Sequence, residues 1–439
     1  MKQLLIAATF IVPLGTAVAA DLSAVYELAQ QNDPGLRAAQ ATREAALEAR
    51  PLARSQLLPS VAVSGDVSYT SRDVKNSAIG SYDDNFDSQN AGVSVVQPLF
   101  RKDRSIALDQ ADDQVEQADA DLITAEQDLI VRVTEAYFGV LSAQDTLRFT
   151  EADVKAIERQ LDQAKQRFEV GLIAITDVNE AQARYDQARA NAIIAQNDVD
   201  NAIESLREIT GTPTGKLADL KEGVVLDPPN PASLDAWTET ALQNNPSVVS
   251  AQFDADIARK EIERQDAADL PTLDLFGSYG VARTDARAGS DLDDAIIGLQ
   301  LEIPLYTGGG VAAATRQARF RYEAAQQVLE QRRRAVQTQV RNAYRGVLAN
   351  ISRVKALEAA ELSAQSALEA TEAGFEVGTR TLVDVLDNQR DVFLARRDLA
   401  VSRYDYVLNF LSLLQAAGTL DDENVAKANE WLTESSAGG

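Results

Sequence analysis

Histidine and cysteine are absent from the chain, and methionine occurs once. Those gaps remove imidazole acid/base chemistry, thiol nucleophiles, zinc-finger ligand sets and disulfide frameworks, so most enzyme classes lose their usual tools. Basic residues are also scarce: 42 Lys and Arg stand against 67 Asp and Glu, a formal charge of −25. Affinity for phosphate draws on clustered Lys and Arg, which argues against nucleic acid or an anionic membrane surface as a partner. The one dense basic run, Arg332, Arg333 and Arg334, reads as a solvated helix face. Past the N-terminus no apolar run is long enough to span a bilayer as a helix. No residues support an enzyme, a structural metal or a cofactor.

What is there begins with an export signal. Residues 1–20, MKQLLIAATFIVPLGTAVAA, place one positive charge at Lys2, then a short apolar run broken by Pro13 and Gly15, then small residues before Asp21. That is the layout of a signal peptide. No cysteine follows it, so an acylated form is not expected.

The chain repeats itself. QNDPGLRAAQ at 31 matches QNNPSVVSAQ at 243, and LLPSVAVSGDVSY at 57 matches DLPTLDLFGSYGV at 269, both at an offset of 212. Further on, EAYFGVL pairs with NAYRGVL and FEVG at 168 with FEVG at 375, at an offset of 207. The offset changes within residues 70–92 and 282–298, where insertions imply loops.

Within each copy, long segments carry heptad seams. Val154, Ile157, Leu161, Ala164, Phe168 and Gly171 alternate in steps of three and four, and Val178, Ala181, Tyr185, Ala188, Ala192, Ala195, Val199, Ala202, Leu206 and Ile209 resume the pattern. The second copy has two adjacent rows, Val385, Val392, Leu399, Tyr406, Leu413 and Leu386, Phe393, Ala400, Val407, Leu414, which predicts a helix with neighbours on both sides. Segment 99–171 predicts about 110 Å of helix and the return segment 178–210 only about 50 Å; leading helices at 22–57 and 235–270, about 54 Å each, make up the difference.

Strands follow each leading helix. Val61, Val63, Val67 and Tyr69 alternate with small or polar residues, as do Leu273, Leu275, Tyr279 and Val281; Ala91, Val93, Val95 and Ile297, Leu299, Leu301, Ile303 continue the period. Nine to twelve residues is the length of a tilted membrane strand. Four strands in an open sheet leave edges that lipid cannot satisfy, so insertion requires several chains to close one barrel. The linkers 70–92 and 282–294 read as polar surface loops, and Asp66, Asp274 and Glu302 as acidic residues facing the pore. TGGGVAAATRQ at 307 lacks the lysine of a phosphate loop and reads as a strand-to-helix bend.

ERQLDQAKQRFEVGLIAITDVNEAQARYDQ, LREITG and EAGFEVGTRTLVDVLD resemble the TolC family of outer-membrane factors over essentially the whole mature chain. The resemblance implies an α+β membrane protein, built as a duplicated strand-and-helical-hairpin unit. It implies a homotrimer whose four strands per chain close a twelve-stranded outer-membrane barrel above a twelve-helix periplasmic α-barrel. Its role would be a passive exit duct for tripartite efflux pumps or type I secretion systems. The implied partners are a periplasmic membrane-fusion adaptor, an inner-membrane pump of RND, ABC or MFS type, and outer-membrane lipid. A periplasmic coiled-coil adaptor or scaffold without a pore is the contrasting reading.

The expected organisation is a signal at 1–20; a first repeat at 21–211, with strands about 59–70 and 91–98 and a helical hairpin about 99–211; and a linker at 212–232. A second repeat follows at 233–418, with strands about 271–283 and 295–305 and a hairpin about 311–418, and then a tail at 419–439; linker and tail would form an equatorial region. Gly171 and Gly378 end the descending helices, consistent with C-cap geometry, and Thr176, Asp177, Thr379 and Thr381 are candidate caps of the returning ones. By resemblance the tips at Gly171, Leu172, Gly378 and Thr379 dock the adaptor. Also by resemblance, Arg380 and Phe375 link to Thr176 and Asp177 to hold the mouth shut. Phe375 stands where the family has tyrosine, so one hydroxyl bond is lost and a weaker gate is expected. Asp384 and Asp387, three apart on one helix, would form a cation-sensitive ring in a symmetric trimer. At roughly 6 Å and an effective dielectric near 20, each like-charge pair there costs about 3 kcal/mol, to be offset by bound cations or by bonds elsewhere.

Overall fold

The computed structural model describes residues 20–77, 80–221, 223–224, 226–286 and 290–433. The expected export signal lies outside them, apart from Ala20. In chain order the elements are α1 (Leu22–Asn32), α2 (Pro34–Leu47), α3 (Ala49–Ser55), β1 (Ser60–Ser77), β2 (Gly80–Phe100), α4 (Lys102–Glu169), α5 (Ile175–Thr210), α6 (Leu234–Asn244), α7 (Pro246–Asp266), β3 (Thr272–Thr284), β4 (Ser290–Glu302), α8 (Gly310–Glu376), α9 (Leu382–Ala417) and α10 (Asp422–Asn429). The order of short helices, two strands, one very long helix and one of 36 residues occurs twice, as the duplication requires. No helix among the described residues is long and apolar enough to cross a membrane.

The chain divides into two compact units, Met1–Ala39 with Ile123–Pro246 and Arg334–Gly439, and Gln40–Leu122 with Ser247–Arg333. In the first, the heptad seams are buried as the spacing predicts: Ile157, Leu161 and Ala164 on α4, Ala181, Ala188, Ala195, Val199 and Leu206 on α5. On α9 the row Val385, Val392, Leu399, Tyr406, Leu413 is buried throughout, while in the adjacent row Leu386, Val407 and Leu414 are buried and Phe393 and Ala400 half-buried. The linker and tail zip together: Leu220 bridges Leu432, the Lys221 N–H donates to the Trp431 carbonyl at 2.9 Å, and the Thr433 N–H donates to the Asp219 carbonyl at 2.7 Å.

The leading helices differ from the expected single spans at 22–57 and 235–270. Each is broken about a third of the way along, at Pro34 and at Pro246. A residue before proline is pushed out of the helical region, and Asp33 and Asn245 sit at ψ 120 and 119. Both breaks are used. The Asp33 carboxylate accepts the Leu36 N–H at 2.7 Å, capping α2, and takes both arms of Arg132 at 3.0 and 2.9 Å. The Asn245 amide donates to the Ala416 carbonyl at 3.0 Å, tying its break to the end of α9.

In the second unit the four strands form one antiparallel sheet in the order β1-β2-β3-β4. Its register stacks the apolar alternation on one face: Val61 opposite Val95, Val63 opposite Val93, Val93 opposite Tyr279, Leu275 opposite Leu299 and Leu273 opposite Leu301. That face has no cover within the chain, and Val63 and Ile297 are 79% and 81% exposed. The strands outrun their expected ends. Residues 70–77 and 80–92, read as loop, pair across the first hairpin, and Gly80–Asp87 pair with β1 but not with β3. Residues 282–284 and 290–294 are likewise strand, whereas β4 stops at Glu302 rather than 305. Strand pairing needs only backbone groups, so it continues where side chains turn polar. Residues 78–79 of the first hairpin and 287–289 of the second lie outside those described.

Of the acidic residues read as pore-facing, Asp274 is held by both arms of Arg101 and Asp66 accepts an amide hydrogen from Asn90 at 3.0 Å, while Glu302 is exposed. After β4 the chain bends into α8 at Gly308 and Gly309, both left-handed at φ 65 and 81, which bears out the bend reading of TGGG.

Candidate functional site: the two hairpin tips

The tips where α4 turns into α5 and α8 into α9 share one bonding scheme. In the first, the Gly171 N–H donates to the Phe168 carbonyl at 2.8 Å and the Leu172 N–H to the Arg167 carbonyl at 2.9 Å. In the second, the Gly378 N–H donates to the Phe375 carbonyl at 3.1 Å and the Thr379 N–H to the Gly374 carbonyl at 2.8 Å. Each pair is a Schellman cap, in which the residue past the helix must be left-handed. Gly171 and Gly378 meet that need at φ 79 and 80. Beside them, in the turns themselves, the apolar side chains of Val170, Leu172 and Val377 are exposed, Leu172 at 73%.

The returning helices start differently. Thr381 caps α9 through a capping box: its hydroxyl accepts the Asp384 N–H at 3.2 Å, and Asp384 accepts the Thr381 N–H at 2.9 Å and its hydroxyl at 2.8 Å. At α5 the cap position is Ala174, which has no side chain to offer. Thr176 and Asp177 therefore do not cap it; they lie inside the first turn, where the Asp177 charge suits the positive end of the helix dipole. Thr379 also makes no cap, since its hydroxyl donates to the Gly374 carbonyl at 3.0 Å.

Above the tips one apolar cluster joins both hairpins. Ile157, Leu161 and Ala164 of α4, Ala181 and Ala188 of α5, and Leu382 and Leu386 of α9 are buried together, with Phe375, Ile173 and Tyr185 packed against them. The Phe375 ring carries the Arg167 guanidinium 4.5 Å from its centre, a cation–π contact. Among the described residues no hydrogen bond or ion pair joins Thr176 or Asp177 to Phe375 or Arg380 within one chain. Arg380 instead folds over Gly374, where any β-carbon would lie 2.7 Å from its Cγ, and its charge helps lower the Asp384 carboxyl.

Asp384 and Asp387 are not bare carboxylates. Hydrogen bonds from the Thr381 N–H, and then from its hydroxyl, hold Asp384 below the ordinary carboxylate range. Asp387 accepts from Arg184 of α5 at 3.2 Å and lies 4.0 Å from Arg390 of its own helix. Arg184 is a site residue that reading the sequence does not pick out. Its signal is a long cation set into an alanine seam, four residues before Ala188 and three after Ala181.

The outer membrane efflux protein model matches residues 25–212 and 237–419, one match to each copy. The chain belongs to the outer membrane efflux protein family. Among its relatives in that family is the outer membrane protein TolC of Vibrio cholerae, 41% identical over 95% of this chain and 95% of that protein. The alkaline protease secretion protein AprF of Pseudomonas aeruginosa is 32% identical over 91% of this chain and 85% of its own length. The fold is also that of the Campylobacter jejuni CmeC outer membrane channel, with a TM-score of 0.80 at 17% identity, covering 94% of this chain and 90% of that one.

Proposed function

We propose that this chain is a passive outer-membrane exit duct for efflux and type I secretion, assembled as a trimer and opened at the hairpin tips when an adaptor and an inner-membrane pump engage it. The observation that carries this reading is the four-stranded sheet, with one apolar face uncovered and both edges, β1 and β4, unpaired among the described residues. Lipid tolerates such a sheet only when its edges are closed. Three copies give twelve strands and bring six tips to one mouth. A coiled-coil adaptor has no use for that sheet.

In the closed trimer, Arg380 pairs with Asp177 and bonds Thr176 between hairpins of neighbouring copies, since among the described residues one chain makes neither bond itself, while Phe375 has no hydroxyl to add one. Gly171, Leu172, Gly378 and Thr379 present the docking surface, and the Asp384 and Asp387 carboxylates line the constriction. Phe375→Tyr restores a hydroxyl at the mouth and should lower the open fraction in single-channel records.

Purification from outer membranes tests the whole reading. The expected product is an SDS-resistant, heat-modifiable trimer that conducts ions in planar bilayers, and loss of the gene should raise drug susceptibility or abolish a secreted protein. A monomer without conductance overturns it.

A further inference from the structure

We propose that Arg184 is a built-in counter-cation for Asp387, and that it sets how strongly the constriction binds a mobile cation. The proposal rests on the reading of Asp387 as part of that constriction. Arg184 leaves α5 between Ala181 and Ala188, both buried against Leu382 and Leu386 of α9, so packing brings the base of its side chain within reach of the facing helix. Its Nη2 donates to Asp387 Oδ1 at 3.2 Å while its Nε donates to Glu180 Oε1 at 3.3 Å, one turn back on α5. Glu180 thus orients the guanidinium fork, whose planar geometry allows one arm for each carboxylate.

Arg390, the other cation near Asp387, is less well placed. It stands 4.0 Å away on the same helix and also lies 3.7 Å from Asp391. Arg184 is the closer of the two and the only one of them that comes from another helix. A metal ion seeking Asp387 must compete with it. Because the pair spans α5 and α9, a motion that parts these helices exposes the carboxylate and raises cation affinity, and by linkage a bound cation favours the parted state.

The test is block of single-channel current by magnesium and by hexamminecobalt, applied to wild type, Arg184→Gln, Arg184→Lys, Asp387→Asn and the Arg184→Gln/Asp387→Asn pair. Removing the arginine from every copy of the trimer should lower the half-blocking concentration of Arg184→Gln by up to about fivefold, a shift worth one half-exposed charge pair. Arg184→Lys keeps the charge and should stay near wild type, and Asp387→Asn should weaken block. In the double variant the gain should vanish. Unchanged block in Arg184→Gln, or a gain that persists without Asp387, overturns the proposal while leaving the constriction in place. If Asp387→Asn also leaves block unaltered, the constriction reading falls and takes the proposal with it.

Discussion

Asp153 on α4 has one carboxylate oxygen sealed from solvent with no hydrogen-bond partner among the described residues, and burial pushes its pKa up to about 6 despite the nearby Arg390. Its folded value lies above the unfolded one, so its contribution to stability is complete below about pH 4 and is lost as the pH rises through about 6. Asp153→Asn should therefore be more stable than wild type at pH 7.5 by roughly 1 kcal/mol after solvent screening, with no advantage at pH 4 in chemical unfolding. At the tips the decisive residues are smaller. Gly171→Ala and Gly378→Ala force a β-carbon into left-handed backbone and should each cost about 1 kcal/mol, read as faster amide exchange in the adjoining turns. Gly139 is helical, and a β-carbon added there would meet no atom within 4 Å, so alanine should instead gain up to about 1 kcal/mol. The tip glycines were legible in the sequence because a repeated FEVG ends two helices. Gly374 and Arg184 were not, because what each contacts depends on how the chain folds back, in one case onto a helix 203 residues away.

At the scale of elements, periodicity is informative where one face is buried and fails where none is. The seams on α4, α5 and α9 came out at most of their positions, since burial there follows the heptad, although Phe168 near the tip is 41% exposed. The strand ends did not. Beyond Tyr69 the first hairpin turns mostly polar, and its pairing through Asp73 opposite Asp83 leaves no apolar alternation, only Phe86, Val74 and Tyr82. The prolines at 34 and 246 were in plain view, yet amphipathic spacing on both sides of each masked the break. The unequal helix starts make a prediction of their own. Thr381→Ala removes the capping box and should cost about 1 kcal/mol, while Ala174→Ser supplies the cap that α5 lacks and should gain somewhat less. Hydrogen exchange at the two tips should converge in both variants, from opposite directions.

For the molecule as a whole, the duplication and the uncovered sheet support the proposed assembly. If the apolar face meets lipid, Val63→Lys places a charge there at a cost of about 2–4 kcal/mol near mid-bilayer, and the SDS-resistant oligomer should be lost; Ser64→Lys, on the other face of the same strand, should assemble. Gel mobility with and without heating separates the two. The sheet was legible because alternation marks its four strands, and the proposed closure follows because lipid does not tolerate a lone sheet with open edges.

The height of the first hairpin has a bearing on what reaches this duct from outside. Eight residues of β2 rise past the last pair with β3, about 27 Å if they run straight up, so the rim of the proposed trimer is a palisade: three tall posts, with Asp73, Asp83 and Asp84 toward their upper ends, alternate with three low ones. A large molecule settling on the posts leaves gaps between them, through which cargo departs sideways.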